Sequence, residues 1–382
     1  MKSNKQFMIL SAIGIVMVVD LHAGTSLELG TAYFPYNSFF MPMFMFISGY
    51  FISHKRCIEE PIEYMYRKVK RILLPYLGWS LYYATFINIL RLFTPVRVGF
   101  ELSVVEYIKG IFLCGEIFDI NAPGYFAIIL FYVTIIMIAL RRILGKFWND
   151  YLITVVFIAL GCFVVRYSLM NSHNFATATV FNMAMKVVIS LQFFQLGTLY
   201  KNKLEKYVSK INLVVIILCF FGIIRIVQHN LGNIRWSLNR LVFNQQLSDV
   251  RFHMGYFIPF LTSLMGIILW VKIAEFLVPV LGDNKLCNYI SDHTFGIMMH
   301  HITFMSILNW ILVGINRIKA IPGLDVDAIK TSSWYRFVWG ETADFKFFYF
   351  LIGIIGSCLF CYLVDRIKKY ARKISTLRND KS

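Results

Sequence analysis

The chain has 382 residues, 58% hydrophobic and 15% charged, with 36 Phe, 21 Tyr and a mean hydropathy of +0.63. A soluble domain carries about 25% charged residues, and this much apolar surface cannot all be hidden inside a water-soluble globule. The net charge of +17 sits in clusters between apolar runs, where membrane topology explains it better than nucleic-acid binding does.

The apolar runs predict ten spans, at 7–26, 37–53, 73–94, 124–140, 151–168, 180–199, 211–228, 254–275, 290–315 and 345–364. Each approaches the ~20 residues that cross ~30 Å of hydrocarbon as a helix. The expected fold is therefore an all-α polytopic membrane protein of about ten transmembrane helices. Lys2 and Lys5 give the first span a signal-like basic start. Asp20 interrupts it and no small-x-small cleavage site follows, so it is read as a retained helix.

Lys and Arg set the orientation. With both termini in the cytoplasm, the inner segments hold 24 basic residues and the outer loops 9, a positive-inside asymmetry. The long loops 95–123, 229–253 and 316–344 then face outward. Residues 1–364 form one membrane domain, and 365–382 a basic cytoplasmic tail suited to anionic lipid. The seven Cys residues show neither disulfide-scaffold nor metal-ligand spacing, so no metal is expected.

Four stretches could carry chemistry. Asp20 and His22 end the first span; two residues apart on a helix lie about 200° around it, so any partner that orients His22 comes from another span. Ser48, Gly49 and Tyr50 close the run MPMFMFISGY, where Gly permits close approach of a helix or a ligand, and packing alone would justify them. Lys68 and Arg71, three apart in RKVKRILLPY, share a helical face at the membrane boundary and suit a phosphate-rich ligand as well as a plain topological anchor. His300 and His301 lie roughly 15 Å into the ninth span, too deep to face lipid. In the outer loops, Trp236, Asn239, Arg240, Gln245, Gln246 and Asp249 offer a ring and polar groups for a sugar. Trp334, Tyr335 and Trp339 read as an interfacial aromatic belt.

In chain order, these landmarks are His22, the PxFxxxSGY-like second span, the basic element leading into LLPY, Tyr125-Phe126 after Pro-Gly, and TFGIMMHH. Together, from about 11 to 305, they resemble the acyltransferase 3 family of integral-membrane O-acyltransferases, in its fucose 4-O-acetylase-like branch. The resemblance implies transfer of an acyl group, acetyl above all, from cytoplasmic acetyl-CoA to a hydroxyl of a cell-surface or lipid-linked glycan, in a bacterial plasma membrane. It implies His22 as base or acyl relay and His301 as an orienting or stabilising second histidine. Lys68 and Arg71 would hold the coenzyme A phosphates, with Ser48 and Tyr50 as polar lining. Acetyl-CoA is then a co-substrate, with no permanently bound cofactor. The chain departs from the pattern at Ser11, where an Arg is usual, at Lys68 in the basic pair, at Tyr125, at Thr294 and in the additional His300. A transporter or flippase for a glycan or small solute is the competing class; it predicts paired broken spans, and none is evident.

Overall fold

The computed structural model describes residues 4–25, 27, 38–98, 103–114, 119–171, 177–231, 236–238, 241–243, 253–339 and 345–379. Its helices in chain order are α1 (Lys5–Ala23), α2 (Phe40–Tyr50), α3 (His54–Glu59), α4 (Pro61–Lys68), α5 (Leu74–Phe93), α6 (Val104–Lys109), α7 (Tyr125–Leu144) and α8 (Asp150–Asn171). They continue as α9 (Val180–Leu199), α10 (Glu205–Val208), α11 (Leu213–Leu231), α12 (Ile258–Leu281), α13 (Lys285–Asp292), α14 (Thr294–Ile318), α15 (Val326–Thr331) and α16 (Phe345–Asn379). Among the described residues, seven helical stretches are long and apolar enough to cross a membrane. The chain is an all-α polytopic membrane protein.

Each expected span falls on a helix, with instructive differences. Phe40–Tyr50 is apolar but shorter than a full crossing. Helix α5 has the length but carries Trp79, Tyr82, Tyr83, Asn88 and Arg91 among its apolar residues. The expected ninth span starts later, because the backbone leaves the helix at His293 (φ −105°, ψ 14°) between α13 and α14. Helix α16 runs unbroken through 364 and 365, so the basic tail begins as its extension. The loop after α11 holds the one departure from helix among the described residues with strand pairing, a two-residue antiparallel ladder of Trp236–Ser237 on Val242–Phe243.

Helix α1 is the central post. It is largely apolar and largely buried, with Phe7, Ile9, Ile15, Met17 and Val19 at or near zero exposure. The Asn4 side chain caps its start on Gln6 N. Its end is closed by Gly24 at φ +102°, whose N–H returns to Asp20 O and Leu21 O. Helices α12, α13, α14 and α16 pack around it. Ser11 meets Thr294 and His22 meets His301, so α1 and α14 run parallel, and both histidines lie toward the end of the bundle opposite the N-terminus. Outward faces of the peripheral helices stay apolar, as at Leu92, Phe93 and Ile143, where lipid rather than protein covers them.

Helices α2 and α9 approach backbone to backbone at two glycines. A Cβ on Gly49 would meet the Phe194 carbonyl, and one on Gly197 would meet the Phe46 carbonyl. Thr198 Oγ1 donates across the same contact to Gly49 O at 3.1 Å. A methyl group here collides with backbone rather than with a side chain that can swing away. Gly49→Ala is therefore expected to cost about 1–3 kcal/mol or more. A lowered melting temperature in detergent would show it; an unchanged one would contradict this packing.

Candidate active site

His22 occupies the penultimate position of α1 and is half-buried. Its Nδ1 lies 2.7 Å from His301 Nε2, the two rings nearly coplanar (9°) and edge to edge with centroids 5.0 Å apart. His301 is fully buried, and its other nitrogen, Nδ1, lies 2.8 Å from the Ile297 carbonyl of its own helix. A carbonyl only accepts, so His301 Nδ1 carries the proton. In the neutral ring Nε2 is then the acceptor, so His22 Nδ1 donates to it. The bare lone pair of the neutral pair is left on His22 Nε2. This assignment follows from the hydrogen-bond network. The orienting partner demanded from another span is thus His301.

The segment between α15 and α16 closes over the pair. Arg336 Nε donates to the His22 carbonyl at 2.9 Å, satisfying one of the orphan carbonyls at the end of α1 and placing a cation at the negative end of that helix. Arg336 Nη1 donates to Ser333 O and Tyr335 O at 2.7 and 2.8 Å, and Nη2 reaches Met305 Sδ at 3.2 Å. Burial pulls the Arg336 pKa down to about 10, which leaves it protonated at neutral pH. The Trp334 ring packs across His22 at 66°, with the centroids 5.3 Å apart. The segment is pinned from behind: Asn309 Nδ2 donates to Tyr335 O, Phe337 N donates to Tyr349 Oη, and the Tyr349 hydroxyl donates to Asn309 Oδ1. A rigid, hydrogen-bonded support of this kind holds reactive groups in place.

Neither Arg336 nor the position of Trp334 was foreseen from the sequence. Arg336 counted only as an outer-loop charge, and Trp334 as part of an interfacial belt. Ser11, where the family pattern has an Arg, lies 3.2 Å from Thr294 Oγ1 and about 16 Å along α1 from His22 at ~1.5 Å per residue. The cation beside His22 therefore comes from the segment between α15 and α16 and not from that position.

The other expected residues are spread. His300 points away from His301, its Nδ1 accepting from Tyr83 Oη at 2.7 Å among the rings of Trp79 and Phe360. Asp20 does not join His22; its Oδ1 accepts from Leu27 N at 2.9 Å and ties the turn after α1. Ser48 Oγ donates to Phe44 O of its own helix, and Tyr50 Oη donates to Glu205 at 2.9 Å and accepts from Asn4. Trp236 corrects the expectation of a sugar-stacking ring: it is 2% exposed, donates Nε1–H to Ser38 O and stacks on Phe193, so it offers no free face. Asn239, Arg240, Asp249, Gln245 and Gln246 lie outside the described residues.

Lys68 and Arg71 stand at the opposite end of the bundle from His22, where the α-helix gives way to a π-turn over Val69–Leu73 before α5. Arg71 lies within this turn, close enough for its charge to act on Lys68. Lys68 sits over the Tyr64 ring at 5.1 Å, and burial, then Arg71, lowers its pKa to about 8. A second basic group stands near: Arg141 is buried over Trp148, hydrogen-bonds His54 and faces Asp150 at 3.8 Å.

The bundle of long apolar helices carries a hydrogen-bonded histidine pair at one end and basic residues at the other. A family model described as "Acyltransferase domain" matches residues 9–366, nearly the whole chain, and the chain belongs to that family. It is a membrane acyltransferase. No curated protein and no solved structure matches it.

Proposed function

We propose that the protein moves an acetyl group from cytoplasmic acetyl-CoA to a hydroxyl of a glycan on the outer side of a bacterial plasma membrane. The observation that carries this reading is the His22–His301 pair, whose tautomers leave a lone pair on His22 Nε2. An alcohol near neutral pH needs a base to become a nucleophile, and a histidine fixed in one tautomer supplies it. His22 Nε2 takes the hydroxyl proton as that oxygen attacks the thioester carbonyl. The tetrahedral intermediate then expels the coenzyme A thiolate, and the proton on Nε2 passes to sulfur. The imidazolium formed in between keeps its Nδ1–H bond to His301, so the ring does not turn during the reaction.

The two ends of the bundle divide the substrates. Lys68 and Arg71 suit the donor's phosphates on the side with most Lys and Arg. From Leu74, three residues beyond Arg71, to Tyr83, which bonds the residue beside His301, α5 rises about 14 Å at ~1.5 Å per residue. The slender pantetheine arm of coenzyme A would bridge that depth, with the thioester near the histidines and the charged nucleotide outside the membrane. Because Lys68 loses its charge as pH rises through about 8, coenzyme A affinity should weaken there, well below the range of an ordinary lysine. Titration calorimetry from pH 6.5 to 9.5 would show this, and Lys68→Arg should abolish the inflection while keeping affinity. A flat profile in the wild type would count against Lys68 as a phosphate ligand.

The sidedness is tested in vesicles carrying the purified protein, with labelled acetyl-CoA enclosed and oligosaccharide outside. Label should appear on the external sugar. Label that appears only when donor and acceptor share a compartment would refute transfer across the membrane.

A further inference from the structure

On the face of α14 opposite His301, a partly open cavity of about 100 Å³ lies between α14 and the second half of α5. Its walls include Phe86, Ile87, Leu90, Ile307 and Trp310, and no charged side chain lines it. Ile307 is 43% exposed on the lipid-facing side, and Leu92 and Phe93 at the end of α5 are more exposed still. Two buried hydroxyls, Ser306 Oγ and Ser333 Oγ, line this cavity, and neither has a hydrogen-bond partner among the described residues. A serine inside a helix can return its hydroxyl to the carbonyl four residues back; Ser306 does not. Buried polar atoms left unpaired are costly and ask for a ligand group or an explanation.

We propose that this cavity seats an ester-bearing aliphatic chain of a glycolipid, and that this glycolipid is the acyl acceptor. The proposal rests on the acyltransfer reading above. The apolar wall fits hydrocarbon, the two neutral hydroxyls fit a neutral ester oxygen, and the absence of charge in the lining disfavours a phosphate or carboxylate there. Position supplies the link to chemistry. Ser333 lines the cavity, and its neighbour Trp334 packs its ring across His22, with the ring centroids 5.3 Å apart. A lipid held by its chain therefore places its sugar beside Trp334 and the His22 lone pair, on the side from which Arg336 closes the site.

The test uses the purified full chain in detergent, titrated with a monoglucosyl diacylglycerol and, separately, with phosphatidylglycerol, bound lipid being counted by native mass spectrometry. One glucosyl lipid per chain is expected. Ser306→Ala/Ser333→Ala should weaken it about tenfold, since each lost hydrogen bond is worth a factor of about two to ten. Ile87→Trp, which fills the cavity, should abolish it, and unchanged melting temperatures would show that both variants fold. Equal binding in all three proteins, or equally tight binding of phosphatidylglycerol, would overturn the proposal. Acetylation of a water-soluble oligosaccharide but not of the bound glucosyl lipid would also overturn it, while leaving the acyltransfer reading intact. Failure to acetylate either acceptor would instead strike at the acyltransfer reading.

Discussion

His22→Ala is expected to lower acetyl transfer by about 10²–10⁴-fold, the usual worth of a positioned general base, with coenzyme A binding retained. The reasoning runs through tautomers rather than through the presence of a histidine. His301 donates to the Ile297 carbonyl and so can only accept from His22 while neutral, which leaves the lone pair on His22 Nε2, the nitrogen proposed as the base. His301→Ala should cost less than His22→Ala, because it frees the tautomer without removing the base. His301→Gln, whose carbonyl oxygen can still accept from His22 Nδ1, should recover part of that loss. Because the two rings act as one unit, the double variant should be little worse than His22→Ala alone. Additive losses in steady-state kinetics would mean that the rings work independently.

The second large effect falls on Arg336. Arg336→Ala removes donors from the carbonyls of His22, Ser333 and Tyr335 at once, and a buried group left unpaired costs about 1–3 kcal/mol. The segment between α15 and α16 would then lose its hold on the end of α1. Misplacing a reacting group by about 1 Å can cost 10²-fold in rate, so kcat should fall by about that factor while coenzyme A affinity at the far end stays put. Arg336→Lys keeps a charge but cannot span three carbonyls in one plane, and should fall between the two. Thermal unfolding and a kcat-against-Kd comparison separate the outcomes; a normal kcat in Arg336→Ala would show that the segment does not position His22.

Much of the architecture was legible because lipid imposes simple rules. Spans announce themselves by length and hydropathy, and a titratable group at depth is costly enough to mark a site. His22, His300 and His301 stood out for that reason, and helical geometry correctly refused to pair His22 with Asp20. The same geometry could not choose between His300 and His301, because which of two adjacent residues faces α1 depends on how α14 is rotated. Arg336 was illegible for a different reason. It lies 314 residues from His22, in a segment with no periodicity, and its role is a bond to a backbone carbonyl that leaves no trace in residue types. Trp236 was misread because a polar loop looks solvent-facing, whereas a short ladder turns its ring inward against Phe193. The Ser48–Tyr50 stretch was ambiguous by nature: Gly49 serves close helix packing, and sequence cannot show the Phe194 carbonyl waiting opposite it.

The most direct test is coenzyme A release by the purified protein given acetyl-CoA, with and without a glycan or glycolipid acceptor, beside His22→Ala. Release that requires both the acceptor and His22 is the result this account predicts. Release that proceeds equally well in His22→Ala would contradict it.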